Sequence, residues 1–342
     1  MLIKLSLDEA KSVAVQFLIR QHIPQEHAAM VADHLIYATL SGHHFAGFSR
    51  LLPLAEMLKT RGTGGTIKIL RETDKSAAMD GAGVNGYVTS VMAMDKAITL
   101  AKKSGVGIVS VSNSWFSGML RYYVERAAEA DLVGMHAANT SARVAPHGGI
   151  DRLLGTNPMA FSFPADGGPL VIDFSTASMM WGDVIYHQQL SKDLPQGRAV
   201  DADGYPTVNP LAALAGAILP WGGPRGSAVA VLIQALGILG GSDPIIHETG
   251  RWGYFFMALD PELLMPLDQF KQRIASMRHT IETSRPVPGG PAVRVPGSSS
   301  QQHLKEGRAR GWIEVDEEIY KKLLQRQKVR TFLARVAAIL WC

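Results

Sequence analysis

The sequence predicts a mixed α/β protein with two lobes. Stretches with the 3.6-residue apolar spacing of helices alternate with short apolar runs of strand length, an order typical of α/β domains. The chain has 342 residues, of which 46% are hydrophobic and 19% charged, so it is long enough for two domains with cores of their own.

The first elements are helices with clear start signals. Ser6 and Glu9 form a capping box ahead of an apolar-periodic stretch that runs to about Leu18. Pro24 opens a second helix that runs towards Leu40, because proline is favoured in the first helical turn. We therefore expect the chain to begin with a helical pair.

The later elements predict a sheet with helices between its strands. Val88 to Lys103 has helical spacing and ends at Gly105, and Val106 to Val111 is then typical of a buried strand. The elements predicted after these are a helix from Gly118 to Ala130, strands at Leu132 to Ala137, Val171 to Phe174 and Tyr254 to Leu259, an apolar helix from Ala228 to Leu239, and a loop from Pro286 to Ser300.

One glycine-rich segment matches a dinucleotide-binding sequence motif. Gly81 to Gly86 satisfies G-x-G-x-x-G and precedes a helix, as in Rossmann folds. The run before it, Ser76 to Met79, is short for a strand, and Lys102 and Lys103 stand where an acidic residue is expected. We interpret this segment as a turn.

Charge and cysteine usage exclude several classes of protein. The net charge of +4 is spread along the chain, so nucleic-acid binding has little support. The single cysteine, Cys342, excludes an intrachain disulfide and a cysteine-based zinc site, and we expect no bound metal. Lys4 and Asp8 interrupt any apolar leader, and no long uncharged apolar run follows, so we expect a cytoplasmic protein without a membrane partner.

Glycines, prolines and small hydroxyl residues concentrate between Val144 and Asp183. The blocks are Pro-His-Gly-Gly at 146–149, Gly-Thr-Asn-Pro at 155–158, Asp-Phe-Ser-Thr-Ala at 173–177 and Trp-Gly-Asp at 181–183. This composition fits backbone folded around a small ligand, and it fits a turn-rich β region equally well.

The order of the blocks resembles the malate/L-lactate dehydrogenase family outside the Rossmann dehydrogenases, which includes ureidoglycolate dehydrogenase, diketogulonate reductase and the piperideine/pyrroline-2-carboxylate reductases. The resemblance runs from about Leu5 to Leu324 and takes in Pro-Trp-Gly-Gly-Pro-Arg-Gly-Ser at 220–227. It implies a two-lobed non-Rossmann fold, with residues 1–117 and 291–342 in a helical lobe and 118–290 in a sheet-containing cofactor lobe. It also implies an NADPH or NADH cofactor, a small-molecule substrate and a homodimer.

Site residues follow from the same resemblance. Arg50 matches an arginine that grips the substrate carboxylate, a task that suits the fork of a guanidinium. Thr156 and His147 match residues near the substrate, although both are equally typical of turns. The positions that match cofactor contacts are Ser117, Gly118, Asn139, Thr140, Asp173, Phe174, Ser175, Arg225 (usually lysine in the family), Gly297 and Ser298.

The chain departs from the family where protons are transferred. Ala46 and Phe116 occupy the positions of two family histidines, and Leu54 replaces a common tyrosine. Asp183 matches the aspartate of the proton relay, whose histidine is absent here. His44 is the nearest candidate substitute, although a packed or surface histidine is the favoured interpretation. Alkyl and phenyl groups neither donate nor accept protons.

Loss of the acid disfavours ketone reduction, because a missing general acid costs on the order of 10²–10⁴ in rate. A protonated imine needs no further proton, so the first hypothesis is an NAD(P)H-dependent reductase of a small carboxylate-bearing substrate with a C=N bond. The second is a redox-inactive cyclase or isomerase that uses the same cavity by proximity. The third is a non-catalytic binding protein. The residues leave the substrate and the choice between NADH and NADPH open.

Overall fold

The structure, a computed structural model, describes residues 2–247 and 250–325. The helices bounded within these ranges are α1 (Leu7–Ile19), α2 (Gln25–Leu40), α3 (Leu51–Arg61), α4 (Gly86–Ser104), α5 (Arg121–Glu129), α6 (Trp181–Gln189), α7 (Pro210–Ala215), α8 (Pro224–Leu239), α9 (Leu267–Glu282) and α10 (Ser298–Arg310). The strands are β1 (Leu2–Ser6), β2 (Lys68–Glu72), β3 (Ser76–Asp80), β4 (Val106–Ser114), β5 (Val133–Ala138), β6 (Pro158–Phe163), β7 (Leu170–Ser175), β8 (Ala199–Val200), β9 (Pro206–Thr207), β10 (Ala217–Ile218), β11 (Trp252–Leu259) and β12 (Trp312–Asp316). The mixed α/β class is confirmed.

The chain divides into two compact units. The first comprises Met1–Gly64 with Gly297–Cys342, and the second comprises Gly65–Pro296. The predicted lobe boundaries at 117 and 290 differ from this division, because β2, β3 and β4 belong to the sheet of the second unit. The assignment of a helical lobe and a cofactor lobe stays a prediction.

The first unit combines helices with a two-stranded sheet. β1 pairs antiparallel with β12. The predicted capping box is present, since Ser6 Oγ accepts the Glu9 N–H at 3.2 Å and the Glu9 carboxylate accepts the Ser6 N–H at 2.9 Å. The predicted helical pair is confirmed as α1 and α2. The chain nevertheless begins with β1, whose partner lies far away in sequence.

A seven-stranded sheet organises the second unit, in the order β2-β3-β4-β11-β5-β6-β7. β3 and β4 are parallel, and all other neighbours are antiparallel. Helices cover both faces: Ala137 packs with Ile233 of α8, while the adjacent His136 contacts Tyr123 of α5. The strand directions bring several termini to one edge of the sheet: the ends of β3, β4, β5 and β7 and the start of β6.

Two predicted boundaries are wrong for identifiable reasons. The helix expected from Gly118 begins at Arg121, because Gly118 has a φ of +70° and leaves the helical region. The run from Ser76 to Met79, thought too short for a strand, belongs to β3, whose hydrogen bonds to both neighbours compensate for its weak local preference.

The remaining elements agree with the predictions to within a few residues. α4 ends at Ser104 with Gly105 in the left-handed region, as its sequence indicates. α10 begins at Ser298, inside the predicted Pro286 to Ser300 loop.

Residues 2–247 and 250–325 lack two features. Among the helices in those ranges, none has the length and apolarity needed to cross a membrane. The same residues contain no cluster of three or more histidine, cysteine or acidic side chains suited to a metal ion. Cys342 lies outside the described residues.

Candidate functional site

A strained turn follows β4. Phe116 and Gly118 have φ values of +43° and +70°, and such strain in a residue with a side chain is typical of functional sites. Beneath the turn, the buried Tyr123 hydroxyl donates to the Ser117 carbonyl. In the part of the chain that the structure describes, the N–H groups of Ser117 and Gly118 make no hydrogen bond. The turn is thus supported from below, and two of its backbone N–H groups make no hydrogen bond within the described residues.

Asp173 connects this turn to β7. Its carboxylate accepts the Arg121 N–H at 2.9 Å, at the start of α5. Asp173 is exposed as a residue, but protein atoms surround its carboxyl group. Burial raises the pKa of Asp173 to about 6, while the N–H and charge of Arg121 act in the opposite direction. A carboxyl group with a shifted pKa is typical of functional sites.

Hydroxyl groups from three strand ends meet at the same sheet edge. Thr156 donates its N–H to Thr140 Oγ1 at 3.0 Å, and the two Oγ1 atoms lie 3.3 Å apart. The Thr156 carbonyl accepts Ser175 Oγ at 2.8 Å. Only glycine fits at Gly155, where a Cβ would lie 2.3 Å from Thr140 Oγ1. The structure therefore brings together Thr140, Thr156 and Ser175, as the resemblance implies.

Two buried asparagines support this edge. Asn139 is fully buried, and its side chain donates to Ser242 Oγ at 2.6 Å and accepts the Gly253 N–H at 2.8 Å. These bonds give it a supporting role, and its direct contact with a cofactor stays a prediction. Asn157, missed in the sequence, donates to the Ala230 carbonyl at 3.0 Å and to Gln234 Oε1 at 2.9 Å. Its place in the Gly-Thr-Asn-Pro block was the available signal.

The 220–227 segment lies next to β7. The rings of Phe174 and Trp221 meet edge to face with centroids 6.3 Å apart. Ser227 Oγ accepts the His147 N–H at 3.0 Å, which joins the Pro-His-Gly-Gly block to α8. Arg225 is exposed in the first turn of α8, with no ion pair among residues 2–247 and 250–325. The structure thus brings His147 and Phe174 next to the segment that carries Arg225.

Asp183 has a local role in the structure. It is exposed in the first turn of α6, where Oδ2 accepts the Met180 N–H at 3.2 Å. A carboxylate at a helix N-terminus is favourable because it opposes the helix dipole. Its part in a proton relay stays a prediction.

In the first unit, two successive 3-10 turns carry three predicted residues. The turns span His44–Ala46 and Phe48–Arg50. Thr39 Oγ1 at the end of α2 accepts the Phe48 N–H at 2.8 Å and so fixes the second turn. The Arg50 guanidinium lies 5.3 Å from the centroid of the Phe45 ring, a cation–π distance.

The first unit also contains Gly297 and Ser298, at the start of α10, and Leu54. Gly297 has a φ of +79° and precedes Ser298, the first residue of α10. His43 Nε2 lies 3.2 Å from Ser300 Oγ, so the start of α10 contacts the loop before Ala46. Leu54 is only 1% exposed, which makes it a core residue of this unit.

The G-x-G-x-x-G segment has strand, turn and helix in the Rossmann order, but its amides are occupied. Gly81, Gly83 and Gly86 donate to carbonyls of Ser112, Asn113 and Trp115 at 2.9, 2.8 and 2.6 Å. A phosphate would have to compete with these bonds. The segment is a structural turn, as the sequence indicates.

Known proteins match almost the whole chain. The family model described as malate/L-lactate dehydrogenase matches residues 5–324. L-sulfolactate dehydrogenase of Methanocaldococcus jannaschii is 32% identical over 326 residues, covering 92% of this chain and 94% of that protein. A solved sulfolactate dehydrogenase structure from that organism has a TM-score of 0.84, and the match covers 94% of this chain and 95% of that one. Delta(1)-pyrroline-2-carboxylate reductase 1 of Burkholderia ambifaria is 32% identical over 274 residues, covering 76% of this chain and 81% of that protein.

Proposed function

Because the chain belongs to the malate/L-lactate dehydrogenase family, we propose that it is an NAD(P)H-dependent reductase of a small, carboxylate-bearing substrate with a C=N bond. The relatives are named as dehydrogenases and reductases, so the protein is an oxidoreductase. The finer proposal concerns the bond that is reduced.

The observation that carries the proposal is the pair Ala46 and Phe116. Neither side chain can donate a proton, whereas the resemblance implies a histidine at both positions. Phe116 packs edge to face on Tyr87, with ring centroids 5.8 Å apart. A substrate that is already protonated suits such an apolar site. A pyrroline-2-carboxylate, after which one relative is named, is a cyclic imine with a carboxylate.

Arg50 is the proposed carboxylate ligand. The 3-10 turn and the Phe45 ring hold its guanidinium in place, which lowers the entropy lost when an anion binds. Thr156 is the other proposed substrate contact. The resemblance also assigns His147 to the substrate, but His147 lines the recess beside the start of α8, and we assign it to the cofactor instead. His44 is exposed at the start of the first 3-10 turn and remains the candidate proton donor for substrates that need one.

The sheet edge fits a nicotinamide dinucleotide, because it offers backbone N–H groups at Ser117 and Gly118 that make no hydrogen bond among the described residues, a hydroxyl group at Thr140 and the carboxyl group of Asp173. When bound, a reduced nicotinamide supplies a hydride, which converts a protonated C=N bond into an amine without a further proton. The other residues proposed to hold the cofactor are Asn139, Phe174, Ser175, Arg225, Gly297 and Ser298.

An apolar face on α8 supports a homodimer. Ala228, Val231, Leu232, Ala235, Ile238 and Leu239 are all exposed, at the spacing of one helix face. Leu239 alone is 69% exposed, and no charged residue occurs from 228 to 239. Soluble monomers rarely expose such a face, and a second copy offers the same uncharged surface across a two-fold axis. Leu232→Glu is expected to give monomers in light scattering, whereas the exposed control Leu264→Glu keeps the dimer.

The substrate class is tested with NADH or NADPH and a panel of cyclic imine carboxylates and 2-oxo acids, by following the absorbance of the reduced cofactor. Imines are expected to react at least about 10²-fold faster in kcat/KM. Faster turnover of 2-oxo acids contradicts the proposal. Conversion without cofactor oxidation indicates a cyclase or isomerase, and binding without conversion indicates a binding protein; both contradict it.

Arg50→Gln tests the carboxylate contact. Loss of a charge-assisted bond is expected to lower kcat/KM roughly 10- to 100-fold. Arg71→Gln, an exposed arginine on β2, is the matched control and keeps the wild-type value. Equal effects of the two substitutions contradict the role of Arg50.

A further inference from the structure

A recess of about 320 Å³ opens in the second unit beside the start of α8. This volume lies at the lower end of the range for small-ligand sites. Its lining comes from the turn at 147–148, from 197–198 and from 219–223, with Ser178 between them. The recess adjoins the end of β7, because the Trp221 ring meets the Phe174 ring and the Trp221 backbone N–H donates to the Thr176 carbonyl.

Two ring systems line the recess. Trp221 is 37% exposed, and its backbone N–H donates to the Thr176 carbonyl at 3.0 Å, which fixes the main chain at this position. The His147 ring lies 3.6 Å from the point that a Cβ on Gly223 would occupy. Exposed indole and imidazole faces of this kind stack on purine bases.

Several residues that line the recess are glycines, so no side chains fill the space above the backbone there. Gly222 and Gly223 both have a φ of +60°, which favours glycine. A Cβ placed on Gly148, Gly197 or Gly222 would meet no atom within 4 Å, so open space lies above the backbone. A ligand can therefore approach the main chain closely.

Arg198 adds a positive charge to this wall. Its carbonyl accepts Ser178 Oγ at 3.1 Å and the Leu219 N–H at 2.9 Å, which fixes its backbone. Its exposed guanidinium makes no hydrogen bond or ion pair with any residue that the structure describes. The nearby carboxylate of Asp201 is engaged, because Oδ1 accepts the N–H groups of Asp203 and Tyr205. A guanidinium without a partner is suited to a phosphate, which it binds through two parallel bonds.

We propose that this recess binds the adenosine half of the cofactor, and that Arg198 binds a phosphate on the ribose 2′-hydroxyl, so that the protein prefers NADPH to NADH. The purine stacks on Trp221 and His147. This inference rests on the proposed function, because it assumes that a nicotinamide dinucleotide binds.

The test is a titration of the intact protein with NADPH and with NADH, without substrate, followed by nicotinamide fluorescence. The wild type is expected to bind NADPH about 10- to 100-fold more tightly, the effect of one strong charged contact. Arg198→Gln raises the NADPH dissociation constant by a similar factor and leaves that of NADH within about twofold. Arg198→Lys, which keeps the charge, retains part of the preference. Arg285→Gln is the matched exposed control and changes neither constant.

Adenosine 2′,5′-bisphosphate serves as a second probe, because it carries the phosphate without the nicotinamide. It is expected to displace bound NADPH from the wild type and to bind about tenfold less tightly to Arg198→Gln. Equal affinities of the wild type for NADPH and NADH, or an equal effect of Arg198→Gln on both, overturn the assignment of Arg198. If neither dinucleotide binds, the proposed function itself fails.

Discussion

Two turns lie side by side at one edge of the sheet, and they differ in what their amides do. The turn from Gly81 to Gly86 follows β3 and carries the dinucleotide motif, yet its glycine amides donate to the end of β4. The turn from Phe116 to Gly118 follows β4 and has no motif, but it is strained at Phe116, and the N–H groups of Ser117 and Gly118 make no hydrogen bond among the described residues. A glycine pattern therefore predicts a turn, whereas the turn can bind a ligand only if its backbone N–H groups have no acceptor within the protein.

The contact between the two turns is expected to be the most sensitive point. A Cβ on Gly86 would lie 2.7 Å from Ser117 Cα and 2.7 Å from the Tyr254 hydroxyl. Gly86→Ala is expected to lower the free energy of unfolding by about 1–3 kcal/mol through overpacking, measured by urea denaturation. In Gly65→Ala the added Cβ meets only Ala82 at 3.7 Å, so this control stays within about 0.5 kcal/mol. Similar values for both variants contradict the close packing of the turns.

Tyr123 tests whether the second turn is held from below. Tyr123→Phe removes the hydroxyl that binds the Ser117 carbonyl, at a cost of about 1 kcal/mol of stability. The loosened turn is expected to raise the dissociation constant of the reduced dinucleotide about threefold to tenfold, measured by fluorescence. Tyr122→Phe, on the same helix and half-buried, is the control. A loss of stability with unchanged affinity shows a purely structural role.

Asp173 tests whether the surroundings of its carboxyl group, beside the second turn, disfavour the ionised form. The pKa of Asp173 is raised from 3.8 to about 6, so the native protein holds this proton more tightly than the unfolded chain. Ionisation of Asp173 therefore lowers stability as the pH rises from 3.8 to about 6, and above this window the loss stays constant. The melting temperature of Asp173→Asn minus that of the wild type is expected to increase between pH 4 and 7.5. The same difference for the exposed control Asp151→Asn is expected to stay constant. A difference independent of pH contradicts the buried carboxyl group.

The smallest effect is expected at the first turn. Asp80 Oδ1 accepts the Ala82 N–H at 2.8 Å, a local bond, and Asn113 Nδ2 at 3.0 Å, a bond from the end of β4. Asp80→Asn is expected to cost about 1 kcal/mol of stability and to change dinucleotide affinity less than twofold. A tenfold loss of affinity in the fluorescence titration would mean that the motif turn binds the cofactor after all.

The family and the fold class were predictable, because whole blocks of sequence carry them, and the match to residues 5–324 confirms the resemblance. The sequence also indicated that the motif at Gly81 to Gly86 is a turn and not a dinucleotide site. One argument for this was wrong, because the preceding run does form a strand, β3. It did not indicate that Tyr123 supports Ser117, nor that Arg121 binds Asp173 across 52 residues. Such contacts join elements that only the sheet brings together.

By itself, the sequence determined features that depend on neighbours within one or two turns of chain. The Ser6–Glu9 cap, the left-handed Gly105 and the apolar α8 belong to this class, because capping and periodicity are local. Only the tertiary structure decided which amides stay unbonded, that β1 pairs with β12, and that burial shifts the pKa of Asp173. The physical reason is that hydrogen-bond satisfaction and desolvation depend on every atom nearby, including those from distant parts of the chain.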